Sequence, residues 1–509
     1  MTNLIASDQK RLIIGMGQTG LSCARFLTAK GLSFDLCDTR ESLPNQQAIE
    51  SEFSASSIFN GELQSELLAQ YQELIVSPGI AIAEPAIAFA KQQGSRIRGD
   101  VDLFAEYVTK PVIAITGSNG KSTVTTLVGD ILSAAGHQPA VCGNIGLPVL
   151  DVLLNDDDYH CYVAELSSFQ LETTQHLNAD VACVLNISED HMDRYDSMMA
   201  YHQAKHRVFQ GCRSIVVNRE DPLTQPLVSR EMPVRSFGLS LADTVHIATI
   251  NSHEAQHAET TSAVAVKNQY YISANSTEVL MREQQALFPV ADLKIKGRHN
   301  QLNALAAIAL VDLLPKELSV SEEQLHIALS NFVGLPHRCA WVADHQSISY
   351  FNDSKGTNVG STIAAIEGLG NTAKDVDGET GSEVNSGKNI ILIAGGVGKD
   401  QDFQPLASAC ESSVKCAVLF GRDGQLIAET LSNFCDVTIV DTLEQALDAA
   451  RKVAKEGDTI LFSPACASFD QFPNYIERGL KFEQLVSQFT ERLSGQLGEQ
   501  LGEEAVNDN

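Results

Sequence analysis

The segment from Thr116 to Thr123, which reads TGSNGKST, has the residue types and spacing of a phosphate-binding loop. It follows the apolar stretch VIAI and precedes the helical pattern TVTTLVGDILSAAG. Glycines let backbone N–H groups converge on phosphate oxygens, and the amino end of the following helix adds partial positive charge. Lys121 adds a full charge, and the Ser122 hydroxyl can bind Mg²⁺. The sequence therefore predicts an ATP site with contacts from Gly117, Ser118, Asn119, Gly120, Lys121, Ser122 and Thr123.

This loop is a variant of the common phosphate-loop pattern, because Ile115 stands where that pattern has glycine. The alternative interpretation is a glycine-rich turn that binds nothing. The position of the loop between a strand pattern and a helix pattern disfavours that alternative.

Two further polar residues, Glu165 in AELSSFQLE and His191 in NISEDHMDRY, each follow an apolar strand pattern. Mg²⁺ prefers oxygen ligands, so Glu165 is the natural direct ligand and His191 the less usual one. For an isolated Glu or His, a structural role is the ordinary interpretation. Placement at strand ends beside a phosphate loop favours metal binding by Glu165 and leaves both interpretations open for His191.

The N-terminal segment carries a competing signal, Gly15-x-Gly17-x-x-Gly20, followed by Asp38 at the end of the next strand pattern. Taken alone, it is compatible with a dinucleotide site and hence with an NAD(P)-dependent oxidoreductase. An oxidoreductase needs no separate ATP site, whereas an enzyme that uses ATP and a nucleotide-bearing substrate needs two phosphate-binding places. The phosphate loop therefore weighs against the oxidoreductase.

Alternating strand and helix patterns place these motifs in an α/β protein of three domains. We predict a Rossmann-like N-terminal domain over 1–99, a central P-loop ATPase-like α/β domain over 100–334, and a Rossmann-like C-terminal domain over 335–509. Short alternating stretches between Val234 and Ala291 indicate a small antiparallel excursion, and NALAAIALVDLL indicates a helix. The acidic stretch 372–388 is expected to be an exposed loop, and the tail from Ser494 to be disordered.

Composition narrows the classes of function. A net charge of −28 argues against a nucleic-acid partner, since phosphate backbones require clustered Lys and Arg. No apolar run approaches the roughly 20 residues of a membrane span, and the start of the chain lacks the features of a secretory signal. We therefore expect a cytoplasmic monomer with no membrane partner, whose eleven cysteines are reduced thiols.

Eight motifs together resemble the Mur ligase family, and they occur in the order typical of that family. They are TGSNGKST, GNIG, ELSSFQLE, NISEDHMDRY, GRHNQLNALAA, GLPHR, NDSKGTN and SPACASFDQF. The resemblance covers the chain to about Lys481 and is closest to members that add D-glutamate. It implies that ATP phosphorylates the carboxylate of UDP-N-acetylmuramoyl-L-alanine and that D-glutamate then attacks the acyl phosphate. The D configuration of the acceptor is implied by the resemblance alone.

By the same resemblance, two Mg²⁺ ions are implied. Ser122 and Glu165 would hold one ion and His191 the other, while Asn144 would steady the reacting end of the substrate. Lys205 matches a position that family members carry as a carbamate, whose oxygens can order Mg²⁺. Without the resemblance, Lys205 would be interpreted as a solvent-facing helix lysine.

The resemblance also assigns the remaining contacts. ATP would be contacted by Asn303, Arg338 and Asp353, with domain closure about a hinge near Gly334. The uridine nucleotide would be bound by Gly15, Gly17, Thr19, Gly20, Asp38, Thr39, Arg40, Ser77, Gly79 and Asn144. D-Glutamate would be bound by Lys355, Thr357, Lys399, Ser468 and Tyr475, with Ser468 expected to open a helix.

Several alternatives remain open from the sequence. A related ligase could add a different amino acid, and a folate polyglutamation enzyme shares the chemistry but needs no uridine-nucleotide domain. An NAD(P)-dependent oxidoreductase and a non-catalytic nucleotide-binding module belong to different classes.

Overall fold

The computed structural model describes residues 9–43, 45–242, 246–250, 262–266, 268–273, 277–370 and 388–504. Within these ranges no helix is both long and apolar enough to cross a bilayer. By its internal contacts the chain divides into two compact units. The first comprises Met1–Ile187, Ser197–Asp292 and Leu302–Phe332, and the second comprises Ser188–Asp196, Leu293–Gln301 and Val333–Asn509.

The first sheet of the first unit is a five-stranded parallel sheet in the order β3-β2-β1-β4-β5. Its strands are β1 (Arg11–Ile14), β2 (Asp35–Asp38), β3 (Ile58–Asn60), β4 (Glu73–Val76) and β5 (Arg96–Arg98). Its helices are α1 (Gln18–Ala29), α2 (Gln46–Glu52), α3 (Ser65–Leu68), α4 (Pro85–Gln92) and α5 (Asp100–Tyr107). Because β1 lies between β2 and β4, the turns that follow these three strands meet at one edge.

The second sheet of this unit has nine strands in the order β17-β16-β15-β12-β10-β9-β6-β8-β7, and a small third sheet has the order β11-β13-β14. The strands are β6 (Val112–Thr116), β7 (Pro139–Gly143), β8 (Cys161–Glu165), β9 (Val181–Val184), β10 (Ile215–Asn218), β11 (Val228–Ser229), β12 (Val234–Phe237), β13 (His246–Ile250), β14 (Ser262–Ala265), β15 (Gln269–Ile272), β16 (Val279–Arg282) and β17 (Gln285–Pro289). The helices are α6 (Lys121–Ala134), α7 (Val149–Leu153), α8 (Ser168–Thr173), α9 (Met198–His206), α10 (Arg298–Val311) and α11 (Glu322–Asn331).

The antiparallel excursion expected between Val234 and Ala291 is present, because β15, β16 and β17 pair antiparallel and so do β13 and β14. The strands β6 to β10 are fully buried apart from β7, which lies at the sheet edge. Burial on both faces explains why their sequences are continuous apolar runs without alternation. The expected helix in NALAAIALVDLL is α10, which begins five residues earlier and ends at Val311, before the last three residues of that stretch.

The two large sheets of the first unit are joined by a tight junction. A side chain at Gly99 would place its Cβ 2.2 Å from the Thr173 hydroxyl, so any other residue there would require Thr173 to shift. The Gln170 side chain donates a hydrogen bond to Asp100, and the Asp102 carboxylate accepts one from the Gln175 N–H. Burial raises the pKa of Asp100 to about 6. The Gln170 and Thr173 contacts belong to α8, which follows Glu165, so the junction also fixes the helix after that residue.

The second unit holds a six-stranded sheet in the order β18-β19-β23-β20-β21-β22, with β18 antiparallel at one edge. Its strands are β18 (Ala340–His345), β19 (Ile348–Asn352), β20 (Ile390–Gly395), β21 (Val414–Phe420), β22 (Asp436–Ile439) and β23 (Thr459–Phe462). Its helices are α12 (Val359–Gly370), α13 (Leu406–Ser413), α14 (Gly424–Leu431), α15 (Leu443–Val453) and α16 (Tyr475–Glu504). Successive residues of β20 pack into two different apolar clusters, which is the pattern of a sheet covered by helices on both faces.

The expectation of a disordered tail from Ser494 is wrong as far as Glu504, because α16 continues through that stretch. The tail is rich in Glu, Gln and Leu, which are good helix formers, and this preference outweighs its glycines. Residues 505–509 and most of the acidic loop expected over 372–388 lie outside the described residues.

Two glycines of the N-terminal turn give a stability prediction. A Cβ at Gly20 would lie 1.8 Å from the Gly15 carbonyl oxygen, whereas a Cβ at Gly17 would meet nothing within 4 Å. We therefore expect Gly20→Ala to lower the free energy of unfolding by about 3 kcal/mol, since backbone must move. Gly17→Ala, where φ is −81°, is the matched control and should change it by less than about 0.5 kcal/mol. Thermal and urea unfolding measure both, and equal losses would contradict the steric argument.

Candidate functional site

The phosphate loop lies between β6 and α6, as the sequence predicts. The Lys121 ammonium donates to the carbonyl oxygens of Gly117 and Ser118 at 2.7 and 2.8 Å, so its charge is held directly over the loop. Gly120 adopts a left-handed conformation with φ of +81°, and the helix begins immediately after it. The loop therefore has the backbone freedom and the charge that a phosphate site requires.

Asn186, which follows β9, makes three hydrogen bonds to the phosphate loop. The sequence analysis assigned it no role. Its main-chain carbonyl accepts from the Ser118 N–H at 2.9 Å. Its side-chain amide accepts from the Asn119 N–H at 2.8 Å and donates to the Asn119 carbonyl at 3.0 Å. The sequence signals were its place at the end of a strand pattern and its position as first residue of the motif NISEDHMDRY, in which only His191 was given a role.

Glu165 and Asn144 meet at the ends of β8 and β7. The Asn144 side chain donates to Glu165 Oε1 at 2.8 Å, and the Asn144 N–H donates to the Glu165 carbonyl at 2.8 Å. Glu165 is only 1% exposed, and its second oxygen, Oε2, has no hydrogen-bond partner in the described part of the chain. Because β6 pairs with β8 and β8 with β7, the sheet order places this carboxylate on the strand beside the phosphate loop.

These residues fit a bound Mg²⁺ ion. A buried carboxylate oxygen without a donor is costly, and a cation bound to it would remove that cost. Ser122, which is 4% exposed, stands at the start of α6 and supplies a second oxygen. No group of three or more His, Cys, Asp or Glu side chains is gathered among the described residues, so a cage of the zinc type is not what they form.

Lys205 is buried and lies against the phosphate loop. It is 1% exposed, its ammonium donates to the Gly117 carbonyl at 2.9 Å, and it lies 4.5 Å from the centre of the Tyr201 ring. The hydroxyls of Tyr201 and Ser118 are 3.1 Å apart. The interpretation of Lys205 as a solvent-facing lysine is therefore wrong, because α9 turns this face toward the loop.

Asn303 on α10 also reaches the loop. A Cβ at Gly120 would lie 2.5 Å from Asn303 Oδ1, and Asn303 is 8% exposed. The structure thus brings together, within the first unit, the loop residues with Asn144, Glu165, Lys205 and Asn303, four residues that the sequence analysis assigned separately.

The N-terminal turn is organised around Asp38. Its carboxylate accepts from the Met16 N–H at 2.6 Å and from the Arg40 guanidinium through both oxygens at 2.8 Å. Burial alone would raise the pKa of Asp38, but the hydrogen bonds from Arg40 and from the Met16 N–H outweigh it and lower that pKa. Both oxygens are engaged by protein groups, whereas a dinucleotide site presents such a carboxylate to ribose hydroxyls. This geometry disfavours the oxidoreductase interpretation.

The other predicted residues of this turn lie around the same edge. Ser77, after β4, donates its hydroxyl to the Gly15 carbonyl at 2.8 Å, which ties the turns after β1 and β4 together. Gly17 and Gly79 are exposed, Thr19 is half-buried, and Thr39 and Arg40 are exposed after β2. Arg40 is therefore an exposed cation at this edge.

In the second unit, Asp353 and Arg338 lie close together. Asp353 follows β19 and accepts from the Ser463 hydroxyl at 2.6 Å and from the Cys339 N–H at 3.0 Å. Burial raises the pKa of Asp353 to about 7, although these hydrogen bonds and the Arg338 charge lower it. Arg338 stands between His337 and Cys339, whose φ values of +61° and +47° are in the left-handed region. Each such residue costs about 1 kcal/mol or more. The surrounding structure must therefore fix this backbone conformation, and strained residues of this kind cluster at functional sites.

The expected acceptor residues fall into two groups. Lys355 lies 3.9 Å from the centre of the Tyr475 ring, a cation–π contact, and the Ser354 hydroxyl donates to the Tyr475 carbonyl at 2.8 Å. Thr357 follows in the same turn and is half-buried. The turn after β19 and the start of α16 are therefore one site.

Lys399 belongs to a second group, centred on Asp190. The Lys399 ammonium pairs with Asp190 Oδ1, and the Asn358 amide donates to Asp190 Oδ2 at 3.1 Å. His191 Nε2 is 3.6 Å from the same carboxylate oxygen, and His191 has φ of +58°. The segment Ser188–Asp196, assigned by sequence to the central domain, packs with the second unit, and Asp190 is what binds it there.

The expectation that Ser468 opens a helix is wrong. The chain makes a turn at Ser468, whose carbonyl accepts from the N–H groups of Gln471 and Phe472, and α16 begins only at Tyr475. Pro473 follows this turn, and Asn474 accepts from the Glu477 N–H at 2.9 Å as the helix cap. Ser468 itself is 2% exposed.

Arg478, a residue that sequence reasoning did not select, joins these segments. Its guanidinium is fully buried and donates to the carbonyls of Ser354 and Cys466 at 2.8 and 2.9 Å. Burial lowers the pKa of Arg478 to about 10. This arginine fixes the turn before Lys355 to the segment before Ser468.

Comparison with known proteins gives one family over nearly the whole chain. The family models that match are Mur ligase MurD-like, N-terminal domain over residues 9–99, Mur ligase middle domain over 115–311, and Mur ligase, glutamate ligase domain over 337–466. The chain is 45% identical to the UDP-N-acetylmuramoylalanine--D-glutamate ligases of Pseudomonas savastanoi pv. phaseolicola and Pseudomonas aeruginosa. These alignments cover 95% and 96% of this chain and 99% of each relative.

Solved structures show the same fold at low identity. A pseudomurein peptide ligase type C from Methanothermus fervidus matches with a TM-score of 0.55 at 16% identity, over 95% of this chain and 100% of that one. MurF from Acinetobacter baumannii matches with a TM-score of 0.55 at 16% identity, over 94% and 90% of the two chains. The predicted three-part α/β fold is confirmed.

The buried carboxyl of Asp353 gives a pH prediction. Its pKa is about 7 in the folded protein against an ordinary value of 3.8, so between these values the folded state binds more protons than the unfolded chain. Its contribution to stability is therefore fully present below about pH 4 and is lost as the pH rises through 7. We expect Asp353→Asn to raise the melting temperature, relative to wild type, more at pH 8 than at pH 5. Asp344→Asn, at an exposed position on β18, is the control, and an equal trend in both variants would contradict the assignment.

Proposed function

The chain belongs to the Mur ligase family, and from this premise we propose that it adds D-glutamate to UDP-N-acetylmuramoyl-L-alanine with consumption of ATP. The identity of 45% to D-glutamate ligases over nearly the full chain supports the acceptor and the nucleotide substrate. The observation that carries the proposal in the structure is the phosphate loop beside Glu165, a buried carboxylate with an oxygen that lacks a protein donor.

In the proposed reaction, a carboxylate oxygen of the substrate attacks the γ-phosphorus of ATP, and the bond to ADP breaks. The amine of D-glutamate then attacks the acyl carbon, phosphate leaves, and the amine gives up a proton as the amide forms. Both reactants of the first step are anions, so the barrier is largely electrostatic. Mg²⁺ held by Ser122 and Glu165 would neutralise part of this charge.

The chain's own residues then have separable proposed roles. Lys121 holds positive charge over the phosphate loop, and Asn144, which is bonded to Glu165, orients the reacting end of the substrate. The turn that carries Arg40 would bind the uridine nucleotide, with the guanidinium set by Asp38. Asn303, Arg338 and Asp353 keep their proposed roles as ATP contacts, and His191 its role as ligand of a second ion.

The acceptor site is proposed around Lys355, Thr357, Lys399, Ser468 and Tyr475. D-Glutamate has two carboxylates and needs two anion sites, which the two lysines can supply. Lys399 pairs with a carboxylate, that of Asp190, and this contact supports a role for its ammonium in binding an anion. Tyr475 holds Lys355 through its ring, so its proposed role is to place a charge as well as to contact the ligand.

The function is tested by phosphate release with UDP-N-acetylmuramoyl-L-alanine, ATP and a panel of amino acids. D-Glutamate should be strongly preferred, and Lys399→Ala should raise its KM by about tenfold or more while the KM for ATP changes less than threefold, since one charged anion contact is lost. Lys415→Ala removes a lysine that pairs with Asp458 in the same sheet and is the control. Preference for L-alanine or meso-diaminopimelate would refute the acceptor.

We further propose that Lys205 is carbamylated. Its amine is buried beside the phosphate loop, 2.9 Å from the Gly117 carbonyl oxygen, where a carbamate would place oxygens close to the loop. A ¹³C-bicarbonate NMR spectrum should show one carbamate signal in wild type that is absent from Lys205→Ala. The variant should lose most of its activity and recover part of it with added short carboxylic acids. A bare amine in wild type under bicarbonate would defeat the proposal.

A further inference from the structure

We propose that Asn186 is a positioning residue that holds the phosphate loop in its nucleotide-binding conformation. It touches no reacting group that the proposed mechanism uses, and it acts through the loop backbone. The inference rests on the proposed use of ATP, and it adds a residue that neither the motifs nor the comparisons assign.

The hydrogen-bond ladder between β6 and β9 continues into the loop at this point. The register pairs Thr116 with Val184, and the Leu185 N–H donates to the Thr116 carbonyl at 2.9 Å. One step further, the Ser118 N–H donates to the Asn186 carbonyl at 2.9 Å. The first half of the loop is thus held as an extension of the central sheet.

At the next residue of the loop, Asn119, the hydrogen bonds come from the Asn186 side chain instead of its main chain. Its amide accepts from the Asn119 N–H and donates to the Asn119 carbonyl, so it satisfies both polar groups of one residue. Only a side chain with a donor and an acceptor on one planar group can do this, which Asn has and Asp lacks. The amide therefore fixes the orientation of the peptide groups on both sides of Asn119.

The segment after β9 packs closely against Gly117. A Cβ there would lie 3.0 Å from Leu185 Cβ and 3.3 Å from the Asn186 N–H nitrogen, and its φ is +153°. A glycine loop loses much conformational entropy when it binds a ligand. A loop that is already fixed by Asn186 has lost this entropy beforehand, which strengthens nucleotide binding.

Asn218 provides a matched control in the same place. It is an asparagine at the end of the neighbouring strand β10, 5% exposed where Asn186 is half-buried, and its amide donates to the Leu185 carbonyl at 2.8 Å. It supports the same end of β9 but makes no hydrogen bond to the phosphate loop in the structure. If asparagines at this edge had only a structural role, substitution of Asn186 or of Asn218 would change ATP affinity to a similar extent.

The test measures ATP binding by calorimetry, together with KM values and melting temperatures, for Asn186→Ala, Asn186→Asp and Asn218→Ala. Asn186→Ala should weaken ATP binding by about tenfold, because two hydrogen bonds to the loop are lost. Asn186→Asp should weaken it further, since the new charge faces the Asn119 carbonyl and repels phosphate, and this extra loss should shrink at high salt. The KM for D-glutamate should stay within twofold in every variant.

The three variants distinguish a positioning role of Asn186 from a general loss of stability. Asn218→Ala should lower the melting temperature at least as much as Asn186→Ala but leave ATP binding within twofold of wild type. If both Asn186 variants bind ATP as wild type does, or if all three lose ATP affinity in proportion to melting temperature, the positioning role is wrong. If wild type itself binds no ATP, the proposed function fails instead.

Discussion

The pairing of β6 with β9 and with β8 is the constraint on which the first site depends. The phosphate loop leaves β6, Asn186 leaves β9 and Glu165 ends β8, so one set of parallel hydrogen bonds decides how these three groups face each other. Parallel strands bring their carboxyl ends to one edge, where loop atoms rather than strand atoms meet. A shift of one residue in the β6–β8 pairing would displace Glu165 from the loop, and the same shift in the β6–β9 pairing would displace Asn186, because a shift also reverses which face each side chain occupies.

Buried charge is handled differently in the two units. In the first, the Glu165 oxygen and the Lys205 ammonium are buried near the phosphate loop, where ionic ligands are expected to bind. In the second, Lys399 is neutralised by Asp190, while Arg478 is bonded to backbone carbonyls. Burying an ion is costly unless it is compensated. At these positions the fold therefore accepts a lower free energy of unfolding in order to fix charged groups in place.

Several residues at or near the proposed sites have a left-handed backbone conformation. His191, His337, Cys339, Lys399 and Ala465 all have positive φ although none is glycine. Four of them lie within or next to a motif that resembles those of Mur ligases, and Lys399 is one of the residues proposed for the acceptor site. Such conformations persist only where the surroundings fix them, and they aim side chains that a regular strand end would direct elsewhere.

Local patterns in the sequence determined the α/β class, the phosphate loop, the helix after it, and the strand end that carries Glu165, whereas Asn144 came from the family resemblance. Each of these depends on residues that are neighbours in the chain, such as a glycine next to a lysine or an apolar run before a turn. The helix start expected at Ser468 was wrong for the same reason, because Pro473 and the Asn474 cap lie just beyond the pattern that was used. The family assignment and the three-part fold are confirmed by the comparisons.

Only the tertiary structure decided the partners of ordinary polar residues. Asn186 lies 67 positions from Asn119, Arg478 lies 124 positions from Ser354, and Lys399 lies 209 positions from Asp190. Nothing in the type of an asparagine, an arginine or a lysine states which distant group it will face. Strand order brings such groups together, and burial then excludes water as their alternative partner, which is why Lys205, a surface lysine by its helix pattern, is enclosed beside the phosphate loop.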